Sequence, residues 1–180
     1  TTVVGRGQFI SQSVTVGRVG RLSSLELFIF RETDTFEDLD ILISDYDSSA
    51  PGVIGSTLAD VAIAAADVAE RMFPLENNGS IILDLTAENL TFDVGEEFII
   101  TASSAADDSD EDYNWIITSS YTGGSSFFSL NGGPQTPDSS TYRFATFVDN
   151  GATTVPLPPG MILMLSGLAG LGVLRYRRKT

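Results

Sequence analysis

The chain has 180 residues, 42% of them hydrophobic and 19% charged, which is enough for one domain with its own core and excludes a disordered polymer. It contains neither cysteine nor histidine, so disulfides, thiolate metal sites, cysteine nucleophiles, the usual zinc ligand and a Ser-His-Asp triad are all excluded. The formal net charge is −14, and residues 1–154 hold all 24 acids against six of the ten bases, a balance of −18 that repels nucleic acid and anionic lipid headgroups and suits a salty exterior, divalent cations or a basic partner.

From residue 8 the chain reads as strands divided by turns. Residues 8–16 (QFISQSVTV) alternate polar and apolar, as a half-buried strand does. Residues 22–31 follow as one strand, with Leu25, Leu27 and Ile29 on one face and Phe28 and Phe30 on the other. Residues 39–46 place Leu39, Ile41 and Ile43 opposite Asp40 and Leu42, and 53–63 form a further strand. The Ala-rich segment 64–72 predicts one or two helical turns before Pro74. Strands are then expected at 80–85, 97–103, 113–119, 125–130 and 142–148. Turn residues punctuate them at 47–52 (DSSAPG), 77–79 (NNG), 94–96 (VGE) and 131–134 (NGGP). Eight to ten short strands with so little helix predict an all-β, antiparallel, jelly-roll-like sandwich over residues 1–149; a doubly wound α/β fold needs regular helices between its strands. No internal repeat of fixed period is present.

The C-terminal segment has a different character. After a linker, Val155-Pro156-Leu157-Pro158-Pro159-Gly160 precedes the apolar run 161–174, and Arg175, Tyr176, Arg177, Arg178 and Lys179 follow. Residues 157–174 carry no charge; as a helix they would span about 27 Å. The prolines place the helix start near Pro159 or Gly160. The predicted division is therefore linker and Pro-rich motif at 150–158, transmembrane helix at 159–175 and basic cytoplasmic tail at 176–180, with residues 1–149 outside the cytoplasm. A buried core helix is the alternative, but an all-apolar run closed by a basic cluster argues against it. Ser166 and Gly170 form a small-xxx-small pair, and Gly167 and Gly172 add small surface, a pattern that lets one membrane helix pack closely on another.

This tripartite ending resembles the PEP-CTERM sorting signals of Gram-negative bacteria, in the variant that opens Val-Pro-Leu-Pro-Ala-Gly. Pro159 stands where that variant has Ala, while SGLAGLG (166–172) and RYRRK (175–179) keep its pattern. The resemblance implies recognition by an exosortase-type membrane protease, removal of the tail, and transfer to the envelope or extracellular matrix. Export is expected, and the opening Thr1-Thr2, without initiator Met or apolar leader, is read as a signal peptide already removed. Residues 8–149 are also similar to an anchored bacterial β-sandwich domain that recurs in PEP-CTERM proteins. The matching pieces include LSSLELFIF, ILISDYDSSAPGVIGST and LTAENLTFDVGEEFIITAS.

Three groups of residues are candidate sites. Asp107, Asp108, Asp110 and Asp112 crowd one loop with Glu111, and alternating carboxylates there can hold calcium or make a solvated acidic loop; the glycine and glutamate of an EF-hand loop are absent. Asp45 and Asp47 can share a cation or cap a turn. Trp115, the only tryptophan, with Tyr113 and Tyr121, can form a stacking platform for sugar rings or serve the core. No catalytic residue is expected: no histidine activates the many hydroxyls, and the only lysine is Lys179 in the basic tail. The expected function is thus a non-catalytic exported protein, located in the inner membrane with a periplasmic domain or at the cell surface after processing; the alternatives are an accessory single-span subunit capping the periplasmic face of an inner-membrane complex, such as a photosynthetic or respiratory one, and a carbohydrate- or exopolysaccharide-binding module. Its expected partners are the membrane, a sorting protease, other membrane-protein subunits or an extracellular polysaccharide, and not nucleic acid.

Overall fold

The computed structural model describes residues 2–5, 7–71, 79–105, 113–131 and 133–149, all within the unit Thr1–Asn150. The expected linker, membrane helix and basic tail lie outside them, as does the acidic loop of Asp107, Asp108, Asp110 and Asp112. No helix among the described residues is long and apolar enough to cross a membrane.

The fold is all-β. In chain order the strands are β1 (Thr2–Val4), β2 (Gln8–Thr15), β3 (Gly20–Leu27), β4 (Ile29–Arg31), β5 (Leu39–Tyr46), β6 (Ile54–Ile63), β7 (Ile81–Asp84) and β8 (Thr91–Phe92). They continue with β9 (Glu97–Ser104), β10 (Tyr113–Trp115), β11 (Ile117–Thr118), β12 (Ser126–Leu130), β13 (Thr136–Asp138), β14 (Thr141–Tyr142) and β15 (Phe144–Asp149). The named strands pair antiparallel throughout. A six-stranded sheet has the order β13-β12-β2-β9-β5-β6, and a second sheet the order β15-β3-β7 with β8 also on β3. Two smaller ladders, β1-β10-β4 and β11-β14, complete the set.

One core joins the sheets. Ile10, Ile41 and Ile100 from the six-stranded sheet cluster with Leu25, Leu27 and Leu83 from the second. Burying an aliphatic side chain of this size contributes about 1.5–3 kcal/mol, so this shared layer is the main adhesive between the sheets. A separate small cluster of Tyr46, Ile99 and Phe127 lies on the opposite face of the six-stranded sheet.

Three expectations are corrected in detail. The strand at 22–31 breaks at Phe28, so β3 and β4 belong to different sheets. The strand β2, whose alternation predicts one wet face, is buried on both: Gln12 lies on the core side, while Ser11 and Ser13 on the other face are met by Gln135 and Ser125. Gln12 makes this tolerable, since its Nε2 donates to the Ser13 and Ser125 carbonyls and its Oε1 accepts from the Tyr142 N–H. The Ala-rich segment forms only a single 3-10 turn, Ala65–Asp67. Its continuation runs extended beside Arg31, whose N–H donates to the Ala69 carbonyl and whose own carbonyl accepts from the Arg71 N–H. Helix propensity is worth only tenths of a kcal/mol per residue, and these tertiary bonds override it.

Candidate functional site

The strand β10 is the middle of its ladder, between β1 and β4, and all three of its side chains point into protein. Tyr113 and Trp115 are both fully buried. Tyr113 donates its hydroxyl to the Glu37 carbonyl at 2.6 Å, and burial pushes its phenol up to about 12. Trp115 donates Nε1–H to the Arg143 carbonyl at 2.9 Å and stacks on Tyr142 with ring centroids 5.0 Å apart. Tyr121 stands elsewhere, half-buried, accepting the Thr15 N–H at 3.2 Å and packed edge-on to Phe144. The sugar-stacking platform expected of Tyr113, Trp115 and Tyr121 is therefore not formed. Two of the rings spend their faces on the core, where their area stabilises most and their polar tips find partners.

Asp45 and Asp47 do come together, at the end of β5. They line a groove of about 600 Å³ with Glu96 and Glu97 at the start of β9 and with Leu90 and Phe92. The turn before β9 needs Gly95, whose φ of 90° lies in the region that disfavours other side chains. Four carboxylates thus face one cavity whose lining holds no basic residue.

Most of these acids already have structural partners. Asp47 Oδ1 accepts the Ser49 N–H at 2.9 Å, and the Ser49 side-chain and backbone hydrogen bonds hold its carboxyl below the ordinary carboxylate range. Glu97 accepts the Ser48 N–H at 2.9 Å and the Thr15 hydroxyl at 3.3 Å, and Glu96 accepts the Asp93 N–H at 2.6 Å. Burial first, then the charges of Glu97 and Asp47, raise the Tyr46 phenol. Asp47 is a turn-capping residue, one of the two roles its sequence context allows. Among the described residues no group of three or more acids converges on a point where a metal ion would sit. What the groove offers chemically is a negative field and backbone-anchored carboxylates, suited to attracting positive charge.

Sequence reasoning overlooked Glu96 and Glu97 because Val94-Gly95-Glu96 reads simply as a turn. The usable signal was the pair of adjacent acids beginning a strand that pairs with the one bearing Asp45. No protein-family model, curated protein or solved structure matches this chain.

Proposed function

We propose that this chain is a non-catalytic, exported β-sandwich of jelly-roll type, held at the inner membrane or sorted to the cell envelope through its C-terminal segment. The observation that carries the reading is the order of that segment: Val155-Pro156-Leu157-Pro158-Pro159-Gly160, an uncharged apolar run, then Arg175, Arg177, Arg178 and Lys179. The strongly acidic composition of residues 1–154 supports an aqueous exterior for the domain, and the lack of histidine and cysteine supports a role in binding or display. In this reading the domain presents its surface outside the cytoplasm while the tail sets its location.

A second reading is favoured by Ser166 and Gly170: a retained helix packing on neighbours in an inner-membrane complex, with the acidic domain over its periplasmic face. Intact mass spectrometry of the protein from native membranes separates the two. Sorting by a protease predicts a mass truncated near Gly160, with the processed domain in the envelope or matrix. A mass running through Thr180 with stoichiometric membrane partners establishes the second reading. A full-length protein found in the cytoplasm overturns both.

A further inference from the structure

An open sheet has two edges, and an edge strand presents a row of backbone N–H and C=O groups to whatever lies beside it. Folded proteins blunt such edges with short strands, proline, lysine or bulges. Three edges of this sandwich are treated in that way. β13, at one end of the six-stranded sheet, has three residues with Pro137 in the middle. In the second sheet β7 has four residues, and β15 on the other side carries a register shift between Phe147 and Val148.

The strand β6, at the opposite end of the six-stranded sheet from β13, is different. With ten residues it is the longest strand described, and it contains no proline, lysine or arginine and a single acid, Asp60. β5 pairs with one side of it, and no backbone bond joins its other side to a described residue. Its two register shifts lie before Ala59, so residues 59–63 run in unbroken register against β5. In this run Ala59, Val61 and Ile63 stand across from Ile43, Ile41 and Leu39 on the core side, and Asp60 and Ala62 across from Leu42 and Asp40 on the outer side. β7 lies in the layer beneath, where Ile81 and Leu83 share a groove of about 410 Å³ with Val61 and Ile63.

We infer that β6 is an interface between two copies of this chain, which pair antiparallel along residues 59–63 about a two-fold axis at Val61. The segment is self-complementary in charge and polarity. The axis sets Val61 against its copy, Ala59 against Ile63 and Asp60 against Ala62, so apolar side chains meet on the core side and no acid stands directly opposite another. The two Asp60 carboxylates are only diagonal neighbours, about 7–8 Å apart. The area is sufficient as well. Ten residues of strand span about 33 Å, and two layers with their side chains are about 20 Å thick, which gives about 650 Å² per copy, at the lower end of specific interfaces. Pro137 blocks the far edge of the same sheet, so pairing through β6 closes at two copies instead of running on into a fibre. The inference goes beyond location and display, and it uses none of residues 150–180.

The test uses the full chain in detergent and exploits its lack of cysteine. Val61→Cys puts two thiols on the axis with Cβ atoms about 4.5–5.5 Å apart, and mild oxidation is expected to convert most of the dimer to a disulfide-linked form on a non-reducing gel. Val19→Cys, 54% exposed in the loop before β3, is expected to give background linkage only. Ala62→Asp places like charges opposite each other at two points, and sedimentation is expected to show dimerisation weakened about tenfold. The double variant Asp60→Lys, Ala62→Asp turns both points into opposite-charge pairs and is expected to restore the dimer. Circular dichroism and the emission of the buried Trp115 check that each variant is folded. Linkage at Val61 no greater than at Val19 overturns the inference. So does a dimer that Ala62→Asp leaves intact, as one held together by the C-terminal segment would be, and so does a double variant as weak as Ala62→Asp alone. None of these outcomes changes the mass measurement that decides the fate of the tail.

Discussion

Tyr142 shows how single residues hold this fold. Its ring is fully buried against Trp115, its N–H donates to Gln12, and its hydroxyl donates to Asp138 at 2.6 Å. Burial, then the hydrogen bond to Asp138, raise the phenol above its ordinary value of 10.0. At Asp138 burial pushes the carboxyl up, but the Tyr142, Ser140 and Ser139 donors outweigh it and leave it lowered from 3.8. The signs follow from linkage. The raised phenols of Tyr142 and Tyr113 contribute stability that is complete below about pH 10 and is lost as pH climbs through their folded values. The lowered Asp138 contributes stability that is present above its unfolded value and is lost as pH falls through its folded one. Urea unfolding of Tyr142→Phe should show a loss of about 1.5–3 kcal/mol at pH 7, from a hydrogen bond to a charged acceptor. Its decline above pH 10 should be shallower than the parent's; equal slopes would mean Tyr142 is not coupled to the fold in this way. Trp115 provides an independent optical check at the same scale. As the sole tryptophan, 0% exposed, it should emit at short wavelength and resist quenching by iodide until the protein unfolds. Ready quenching in the folded state would contradict its placement.

The elements meet at a corner that period-two reading does not reveal. Three strands expected to be continuous, over 22–31, 113–119 and 142–148, each break at one residue: Phe28, Ile116 and Arg143. The broken ends close a ring of backbone bonds. Phe28 N–H donates to the Arg143 carbonyl at 3.3 Å, Arg143 N–H to Ile116 at 2.8 Å, and Ile116 N–H to Phe28 at 2.9 Å. The Arg143 guanidinium lies 3.9 Å from the Phe28 ring centroid, over its face. Each chain passes here from one sheet to another, which is why β3 and β4, β10 and β11, and β14 and β15 are separate. No turn residue marks the corner, since the bend is distributed over three chains that satisfy one another's backbone groups. By contrast β5 is observed over Leu39–Tyr46, where the apolar Leu39, Ile41 and Ile43 are buried and Asp40 is half-buried as their alternation predicts, while Ser44 beyond them is buried as well. The short β1, β8 and β13 were not anticipated, being two or three residues long and therefore without a measurable period. Close approach between elements gives a sharp test. A Cβ on Gly124 would overlap the Ser13 carbonyl of β2, whereas one on Gly17 meets nothing within 4 Å. Thermal unfolding should show Gly124→Ala destabilised by at least about 1–3 kcal/mol, with Gly17→Ala near the parent. Similar midpoints for the two would show that the segment before β12 does not press on β2.

At the scale of the whole molecule, charge opposes the compact state. Residues 1–154 carry a balance of −18, and ion pairs among the described residues include Arg21 with Asp149, Arg31 with Glu70, and Arg71 with Glu32. These lie at or near the surface and each contributes about 0–1 kcal/mol, too little to offset general repulsion. Raising sodium chloride from about 0.01 M to about 1 M shortens the screening length from about 30 Å to about 3 Å. The unfolding midpoint should therefore rise with salt. A midpoint that falls would show that ion pairing outweighs the repulsion.

Composition, period and charge settle what is local or additive: the all-β class, the position of the longer strands, the acidic field, and the absence of any cysteine or histidine chemistry. They do so because alternation along a strand and the sum of charges require no knowledge of neighbours. Which faces become interior is another matter. Asp45 and Glu97 line one groove, Trp115 turns inward, Ser11 is buried beside Thr101, and a groove beside Gln135 is free of charge; all of these depend on pairings between segments up to 130 residues apart, such as Gln12 with Tyr142. A strand residue has the same local preference whether its sheet is edge or centre, covered or bare, and the free energy that chooses between them comes from the partner strand.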